Sequence, residues 1–285
     1  MNGTMEGCVC VVTGATGGIG QAAAMELARR GATTVLVARS AERAERTRAA
    51  VVRAAGHQRV GVVLADLSSQ AQVRAAAGQI RDRWPAVHVL VINAGIYTRR
   101  RQESEDGIEM QLAVNHLAPF LLTRLLMEPL RAGAPARVVA VSSGAHRYAR
   151  PRWDDLQMRR GYHGLLQYCN TKLFNVLFTR ELARRNPPPA LAANALHPGV
   201  VATEILFGGW PPLRLFRRFM RTPEEGARTV VHLASSPQVA GVTGEYFVDE
   251  RPSRVAPPAL DEDAARRLWE LSARLTGLDP AGTGG

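Results

Sequence analysis

The sequence predicts a single α/β domain whose core is a doubly wound, seven-stranded parallel sheet with helices on both faces. Three observations support this prediction. Short runs of β-branched and apolar residues alternate with amphipathic helical segments, as in successive βαβ units. The first run leads into a glycine-rich turn that opens a helix. Polar residues follow several of the runs, and ligands bind at the carboxyl ends of the strands in open α/β sheets.

Length and composition fit one domain and exclude several classes of protein. The 285 residues are 46% hydrophobic, which is enough for a sizeable core. The net charge is +11, but the Arg residues are spread among Ala and Glu along amphipathic segments. We therefore interpret the charge as compositional bias and predict no nucleic-acid partner. Three cysteines without a C-x-x-C motif predict no metal site and fit a reduced setting.

No transmembrane or secretory segment is predicted. No apolar run approaches the about 20 residues that a membrane-spanning helix needs. Residues 1–7 are few and polar, unlike a signal peptide. We therefore predict a cytoplasmic protein. A peripheral membrane contact is left open, because residues 205–221 combine aromatic, Leu and Arg residues.

The first strand is predicted at 8–12, and the glycine-rich turn at 13–20 follows it directly. The glycines allow the backbone to turn tightly and to approach a pyrophosphate, while the new helix supplies unpaired N–H groups. A turn of this kind between a first strand and a first helix is a specific signal for nucleotide binding. The predicted cofactor contacts in the turn are Gly14, Thr16, Gly17, Gly18, Ile19 and Gly20.

The end of the second strand, predicted at 33–38, indicates which dinucleotide is preferred. A domain specific for NAD places an acid here for the ribose 2′-OH, and this chain has none. It has Arg39 instead, with Arg43 one turn later in a helix predicted at 41–55 and capped by Ser40. Because a guanidinium favours a 2′-phosphate, we predict that NADP(H) is preferred over NAD(H).

Further candidate contacts follow the third and fourth strands, predicted at 60–64 and 87–92. Asp66 and Leu67 come directly after the third strand. Asn93, Ala94 and Gly95 come directly after the fourth. Since both sets lie at the carboxyl ends of parallel strands, we expect them to border the same ligand.

A helix is predicted at 106–130, with Asn115 and Pro119 four residues apart. Pro119 has no N–H to donate to the Asn115 carbonyl group, and its ring crowds that group. We therefore expect a kink and a free carbonyl oxygen that binds an ordered water. A kink that is merely tolerated is the alternative.

The second half of the chain contributes three more predicted strands, at 137–141, 190–196 and 246–248. Ser143 follows the first of them, and Pro198 with Gly199 follows the second. A capping box with proline at the first helical position opens a helix after residue 222. An amphipathic helix is predicted at 261–275, and a flexible tail at 277–285.

A Tyr–Lys pair is the strongest catalytic candidate. Lys172 is the only lysine among 36 Lys and Arg residues, and it follows Tyr168 by four positions in a predicted helix. That spacing places both side chains on one helix face. A phenol, with a pKa of about 10, is a poor acid–base catalyst at neutral pH, and a nearby ammonium lowers that pKa. The alternative for the pair alone is a packed aromatic ring beside a solvated charge.

Taken together, these motifs resemble the short-chain dehydrogenase/reductases. Six of them occur in the family's order: the turn at 13–20, Asn-Ala-Gly at 93–95, Asn115, Ser143, Tyr-x-x-x-Lys at 168–172 and Pro-Gly at 198–199. Stretches such as 114–117 (Val-Asn-His-Leu) and 197–201 (His-Pro-Gly-Val-Val) are similar to the retinol-dehydrogenase-like branch. The resemblance covers about residues 7–250 and implies a single Rossmann-type domain over 1–285.

The resemblance also implies a catalytic set: Asn115, Ser143, Tyr168 and Lys172. Tyr168 acts as the acid in reduction and the base in oxidation, while Lys172 lowers its pKa and holds the nicotinamide ribose. Ser143 donates to the substrate oxygen, and the Asn115 carbonyl holds a relay water. The residues implied at the nicotinamide are Pro198, Gly199, Val201 and Thr203. The implied activity is NADP(H)-dependent hydride transfer between an aldehyde or ketone and its alcohol.

Two other activities are compatible with parts of the sequence. A regulator that senses NADP without turnover would keep the glycine-rich turn, but it would not need Ser143, Tyr168 and Lys172 together. An epimerase or dehydratase on the same fold usually has a longer substrate domain, and little chain follows Thr203 here.

Two segments bear on the substrate. Residues 205–221 are predicted to form a lid over a lipophilic aldehyde or ketone, with a membrane anchor or a permanently packed helix as alternatives. Arg99, Arg100 and Arg101 follow the fourth strand, and they either face solvent or bind an acidic substrate or carrier protein. The sequence does not decide whether the chain forms a homo-oligomer.

Overall fold

One sheet organises residues 4–201 and 220–281, which are the residues that the computed structural model describes. Its strands are β1 (Val9–Thr13), β2 (Thr33–Ala38), β3 (Val60–Leu64), β4 (Val89–Ile92), β5 (Ala136–Val141), β6 (Leu191–His197), β7 (Tyr246–Val248) and β8 (Arg251–Pro252). They lie in the order β3-β2-β1-β4-β5-β6-β7-β8. The order reverses between β1 and β4, which creates a crevice at the carboxyl ends of these two strands.

The sheet has one strand more than the seven parallel strands that the sequence predicts. β1 to β7 pair in parallel, as expected, but β8 pairs antiparallel with β7. Asp249 and Glu250 connect these two strands with φ angles of 51° and 64°. Two consecutive positive φ angles are the signature of a tight hairpin turn, which is usually marked by Asn-Gly or Asp-Gly. Asp-Glu gives no such signal, so β8 escaped prediction.

Helices cover both faces of the sheet, as the sequence predicts. They are α1 (Gly18–Arg29), α2 (Ala41–Ala55), α3 (Gln70–Arg83), α4 (Met110–Leu112), α5 (Ala118–Leu125), α6 (Met127–Ala132), α7 (Gly164–Arg185), α8 (Pro223–Ser235) and α9 (Glu262–Leu275). Val12 of β1 belongs to the hydrophobic cluster of α1 and α8. Its neighbour Val11 belongs to the cluster of α3, α5, α7 and α9. Alternate side chains of one strand thus enter two cores, as in a doubly wound domain.

The predicted helix caps are present. The Ser40 hydroxyl accepts the N–H of Arg43 at the start of α2. Thr222 and Glu225 form the reciprocal capping box at the start of α8. Both motifs satisfy N–H groups that a helix start leaves unpaired.

The single helix predicted at 106–130 is in fact divided. Its first turn, α4, begins only at Met110, and a π-helical turn at Ala113–Leu117 connects it to α5. Pro119 stands in the first turn of α5, where proline is tolerated because the N–H would be unpaired anyway. The irregularity expected from Pro119 is therefore present, as a π-helical turn that contains Asn115.

Residues 277–281 are the described part of the flexible tail predicted at 277–285, and they are bound to the rest of the domain. The carbonyl oxygen of Asp279 accepts a hydrogen bond from Arg124, and that of Pro280 accepts from Arg185 and from the indole of Trp269. These bonds fix the chain after α9 against α5 and α7. The local reason is that three long donors on packed helices converge on two backbone carbonyls, a contact that composition alone does not signal.

Candidate active site

A cavity of about 1190 Å³ lies at the carboxyl ends of the strands, where the strand order reverses. This volume exceeds that of a typical pocket for one small molecule, so it accommodates a dinucleotide together with a substrate. Most of the predicted site residues line it: Gly14, Thr16, Gly17, Gly18, Ile19, Arg39, Asp66, Leu67, Asn93, Ala94, Gly95, Ser143, Tyr168, Lys172, Pro198, Gly199 and Val201. Gly20 and Asn115 lie behind this lining, and Thr203 lies outside the described residues.

The glycine-rich turn packs directly against the end of β4. Gly14 has a φ of +65°, and a Cβ there would lie 2.9 Å from the Ala94 Cα. A Cβ on Gly20 would overlap the Asn93 side-chain nitrogen and the Gly14 carbonyl oxygen. Gly14 is therefore required for its backbone conformation and Gly20 for the close approach. The turn leaves the start of α1 open towards the cavity, where its N–H groups can bind a pyrophosphate.

Thr13 connects the turn to β4, a role that the sequence analysis missed. Its hydroxyl donates to the Val91 carbonyl and accepts the N–H groups of Asn93 and Ala94. The Asn93 side chain in turn donates to the carbonyls of Thr13 and Gly14. The threonine at the start of the Thr-Gly motif was the available signal, but a threonine that ends a strand is too common to be singled out.

The predicted 2′-phosphate contacts lie at the outer rim of the cavity. The Arg39 side chain is 79% exposed, and its guanidinium lies 3.7 Å from the Asp66 carboxylate. Arg43 donates to the Thr16 carbonyl at 3.2 Å. Asp66 also accepts from the backbone and hydroxyl of Ser68. Both guanidiniums thus border the cavity, and the ion pair between Arg39 and Asp66 is long and partly exposed, so it restrains Arg39 weakly.

Tyr168 and Lys172 meet on one face of α7, as their spacing predicts. Lys172 is buried, and its Nζ donates to the Val141 carbonyl at 3.2 Å and lies 5.5 Å from the centre of the Tyr168 ring. Burial lowers the pKa of Lys172 to about 8. Burial also raises the pKa of Tyr168 to about 12, although its hydrogen bond with Ser143 opposes this rise. Desolvation therefore outweighs the lowering of the Tyr168 pKa that we expected from Lys172.

Ser143 lies where β5 ends and a short 3₁₀ turn, Gly144–Tyr148, begins. Its hydroxyl oxygen accepts the N–H of Ala145 at 3.2 Å, and the Ser143 side chain is close enough to the Tyr168 phenol to lower the pKa of Tyr168. Its neighbour Ser142 donates to the Lys172 carbonyl at 2.7 Å. The segment that follows β5 therefore contacts α7 at two neighbouring points, Ser142 at Lys172 and Ser143 at Tyr168.

Asn115 lies behind the cavity wall and holds the loop after β4. Its side chain accepts the N–H of Ile96 at 2.7 Å and donates to the Ile96 carbonyl and to the Thr171 hydroxyl. The Asn115 carbonyl oxygen lies 2.7 Å from the side-chain nitrogen of Asn175 when the Asn175 amide takes the orientation in which its oxygen and nitrogen both have hydrogen-bond partners. A side chain therefore binds this oxygen, where we expected an ordered water. A carbonyl has a second lone pair, so the relay water stays a prediction.

A second wall of the cavity is formed by the loop that follows β4. The Tyr97 ring contacts the Tyr168 ring edge to face, with 6.2 Å between centroids. The Thr98 hydroxyl lies 2.8 Å from the Tyr162 hydroxyl, and the Gln111 amide donates to both Tyr162 and the Thr98 carbonyl. These contacts hold the loop against the start of α7. The apolar residues that line this side are Ile96, Tyr97, Met110, Val114, Leu165 and Val200.

Glu109 is the centre of the network beneath this wall, and the sequence analysis missed it. The residue is fully buried. Its carboxylate accepts the N–H groups of Gln111 and Leu112, the Tyr162 hydroxyl and the Gln167 amide, at 2.8–3.0 Å. It therefore joins the start of α4 to the segment that leads into α7. No local pattern distinguishes this glutamate from the exposed ones nearby.

The three consecutive arginines of this loop have different environments. Arg99 lines the cavity and is exposed, and Arg100 is exposed. Arg101 is half-buried, with an ion pair to Glu103 at 2.7 Å and a hydrogen bond to the Gln157 carbonyl. Only Arg99 therefore has direct access to a ligand in the cavity.

The fold and the site define an oxidoreductase that binds a nicotinamide dinucleotide in the crevice of a Rossmann-type sheet. The sequence profile described as short chain dehydrogenase matches residues 8–208. The chain belongs to this family, in its retinol-dehydrogenase-like branch, and acts on a CH–OH group with NAD(P). The human retinol dehydrogenase 14 is 41% identical, covering 97% of this chain and 88% of its own length. The human retinol dehydrogenase 11 is 40% identical, covering 96% and 87%.

Solved structures agree with the fold. A protein of Mycobacterium paratuberculosis has a TM-score of 0.78 and 32% identity, over 98% of this chain and 96% of its own. A short chain dehydrogenase of Shigella flexneri, solved in complex with NADP, has a TM-score of 0.71 and 23% identity, over 87% and 98%. At that identity the second comparison supports the fold alone.

Proposed function

We propose that this protein is an NADP(H)-dependent oxidoreductase that interconverts a lipophilic aldehyde or ketone and its alcohol. The observation that carries the proposal is the convergence of Ser143, Tyr168 and Lys172 on one cavity that also contains the glycine-rich turn. The fit of a dinucleotide rests on the close packing of Gly14 and Gly20, which leaves the start of α1 open. The nicotinamide cofactor supplies or accepts the hydride when bound.

The chain's own residues hold and move the proton. Tyr168 gives its phenolic proton to the substrate oxygen in reduction and takes it back in oxidation. Lys172, with a pKa of about 8, is mainly protonated at neutral pH and so favours the phenolate that reduction leaves behind. Ser143 stabilises the alkoxide-like oxygen by donating a hydrogen bond from its hydroxyl group. Burial opposes ionisation of Tyr168, so this mechanism requires both neighbours.

The lining of the second wall supports a lipophilic substrate. The loop after β4 contributes Ile96 and Tyr97, and α7 contributes Leu165 on the same side of the cavity as Tyr168. Apolar linings with a few placed polar groups are typical of small-molecule sites. The retinol dehydrogenases named above act on such a compound by their names. A retinoid is therefore one candidate, and other lipophilic carbonyl compounds fit the same lining.

The proposed cofactor preference rests on the two arginines at the rim. Arg39 and Arg43 border the cavity, and the exposed Arg39 side chain forms a long ion pair with the half-buried Asp66 carboxylate. A 2′-phosphate offers a stronger, charge-assisted contact than this ion pair.

The predicted lid at 205–221 lies almost entirely outside the described residues, which end at 201 and resume at 220.

The proposal also includes a location for the protein. Across residues 4–201 and 220–281, no helix has both the length and the apolar character to cross a bilayer. We infer a cytoplasmic enzyme, possessing at most a peripheral membrane contact. A cell fractionation with an antibody against the chain tests this inference, and recovery in a detergent-soluble membrane fraction would contradict it.

Replacing Tyr168 with Phe tests the mechanism. We expect Tyr168→Phe to lower kcat by about 10²–10⁴-fold for any accepted carbonyl, because the acid–base group is gone. NADPH binding, followed by its fluorescence, should stay intact. Tyr148→Phe is a matched control, because Tyr148 is 73% exposed. A Tyr168→Phe variant with near wild-type kcat would exclude the mechanism, and a wild-type protein that binds NADPH without turning over any aldehyde or ketone would favour a regulator.

A further inference from the structure

His146 is a buried histidine that contacts the proposed catalytic serine and has no part in the mechanism above. It lies in the 3₁₀ turn Gly144–Tyr148 and is 1% exposed. Its ring nitrogen Nδ1 lies 2.7 Å from the Ser143 carbonyl oxygen. Its other ring nitrogen, Nε2, accepts the backbone N–H of Ala256 at 3.3 Å. Each of the two ring nitrogens is therefore hydrogen-bonded to a backbone group.

These two contacts determine which ring nitrogen carries the proton. A backbone N–H can only donate, so Nε2 must be the unprotonated acceptor. A carbonyl oxygen can only accept, so Nδ1 must carry the hydrogen. The neutral Nδ1–H tautomer satisfies both partners at once. The ring also lies against Tyr246, with 4.9 Å between centroids, which fixes its plane.

The Ser143 peptide is held from one side by this histidine. Its carbonyl accepts the Nδ1–H of His146 and also the backbone N–H of the same residue at 3.1 Å. On the other side the Ser143 hydroxyl accepts the N–H of Ala145 and contacts the Tyr168 phenol. Since the carbonyl and the hydroxyl belong to one residue, a rotation of the Ser143 peptide would displace the hydroxyl from Tyr168.

The residue that fixes the tautomer comes from a distant part of the chain. Ala256 follows β8, 110 positions after His146. The same segment is bound to the 3₁₀ turn by a second contact, from the Arg147 guanidinium to the Arg254 carbonyl at 2.7 Å. The segment between β8 and α9 is therefore linked to Ser143 by two hydrogen bonds, one to each nitrogen of the His146 ring.

We propose that His146 is a positioning residue for Ser143, and that the backbone N–H of Ala256 holds it in the Nδ1–H tautomer. This inference rests on the role proposed above for Ser143. The geometry needs a side chain that donates on one side and accepts on the other across a fixed ring. Neutral imidazole has this capacity, with its two nitrogens in one rigid plane.

The tautomer is measurable without any assay of activity. In ¹⁵N-labelled wild-type protein near neutral pH, the imidazole ¹⁵N shifts of His146 should show hydrogen on Nδ1, and a His146→Asn variant assigns the signal. Ala256→Pro removes the N–H and is compatible with the φ of −67° at Ala256, and its Cδ pushes the imidazole away from this position. Ala256→Gly keeps the N–H and is the matched control. We expect the proline variant alone to shift His146 towards a mixture of tautomers. An Nε2–H tautomer in wild type would overturn the proposal.

Kinetics separate positioning from packing. His146→Phe keeps an aromatic ring against Tyr246 but removes both hydrogen bonds, and we expect kcat to fall about tenfold at unchanged KM and NADPH affinity. His146→Asn places an amide nitrogen near the position of Nδ1 and should recover most of that loss. Equal losses in the Phe and Asn variants, or no loss in either, would overturn the proposal. If His146→Phe does not fold, Ala256→Pro against Ala256→Gly gives the same comparison.

A Ser143→Ala variant separates this inference from the proposed function. A loss of about 10²-fold in kcat is expected from removing a donor to the developing oxyanion. If Ser143→Ala keeps wild-type kcat, the proposed role of the serine fails and this inference fails with it. If Ser143→Ala is impaired and His146→Phe has wild-type kcat, the inference alone fails.

Discussion

The two walls of the cavity are built in different ways. The cofactor wall, around the glycine-rich turn, depends on backbone that approaches backbone, with Gly20 too close to Asn93 to carry a side chain. The substrate wall, formed by the loop after β4, depends on side chains that converge on the buried Glu109. A wall that depends on backbone packing requires glycines at fixed spacing, so it can be recognised in the sequence. A wall held by one buried side chain has no such pattern.

The two walls also differ in how a substitution damages them. In the cofactor wall an added methyl group creates overlap at a point where the backbone has no room. In the substrate wall the loss of one carboxylate removes an acceptor from four donors at once, although Tyr162 and Gln167 each keep a backbone carbonyl as a further acceptor. The first kind of damage is expected to act on cofactor affinity, and the second on the stability of the fold.

The largest effect is expected for Glu109→Ala. Its donors lie in the interior, and we expect the free energy of unfolding to fall by about 3–5 kcal/mol, measured by urea denaturation. Glu128→Ala, at an exposed position of α6, is the control and should change stability by less than about 0.5 kcal/mol. A Glu109→Ala protein as stable as wild type would mean that the substrate wall does not depend on this network.

The next effect is expected for Gly20→Ala. The new Cβ must displace the Asn93 amide or the Gly14 carbonyl, so the turn shifts, at a cost of about 1–3 kcal/mol. We expect NADPH affinity to fall about tenfold to hundredfold, measured by fluorescence titration. Gly78→Ala is the control, because a Cβ at this position of α3 meets nothing within 4 Å. Unchanged NADPH affinity in Gly20→Ala would show that the close packing of the turn is dispensable.

A smaller effect is expected at the rim of the cofactor wall. If Arg39 binds the 2′-phosphate, wild type should prefer NADPH over NADH about tenfold or more in kcat/KM, and Arg39→Ala should lose most of this preference. Arg46→Ala is a matched control, since this arginine of α2 pairs with Glu42 and does not line the cavity. Equal kcat/KM for the two cofactors in wild type would contradict the prediction.

The smallest effect is expected for the three arginines of the substrate wall. Replacing Arg99, Arg100 and Arg101 by Ala should change KM by less than about twofold for uncharged substrates, because charge runs mostly face water. Arg101 pairs with Glu103, so a modest loss of stability is the main consequence. A rise in KM confined to anionic substrates would instead show that this wall recognises an acid.

The features that could be predicted from the sequence are those set by residues close together in the chain. All seven predicted strands, the glycine-rich turn and the meeting of Tyr168 with Lys172 follow from local periodicity and spacing. Glu109 could not be found, because its burial depends on contacts with Tyr162 and Gln167, more than 50 positions away. The same holds for His146, whose partner Ala256 is 110 positions away.

The start of the helix predicted at 106–130 and the direction of the Tyr168 pKa shift both differ from what the local sequence predicts. The helix predicted at 106–130 begins at Met110, because the preceding residues pair with each other across a turn, as Ser104 does with Ile108. The Tyr168 pKa depends on desolvation, which is a property of the folded cavity. Spacing reports the proximity of Lys172 but not how much water the fold removes.

The contact between Trp269 and the helices α5 and α7 has a consequence for the order of synthesis. The indole ring lies 5.0 Å from the Phe120 ring and 6.0 Å from the Phe178 ring, and its N–H binds the Pro280 carbonyl. A nascent chain that has reached β7 already contains Ser143, Tyr168 and Lys172, but the aromatic face of α5 and α7 has no cover. Until α9 has been added, we expect this face to be the part of the nascent chain that chaperones and other nascent chains contact.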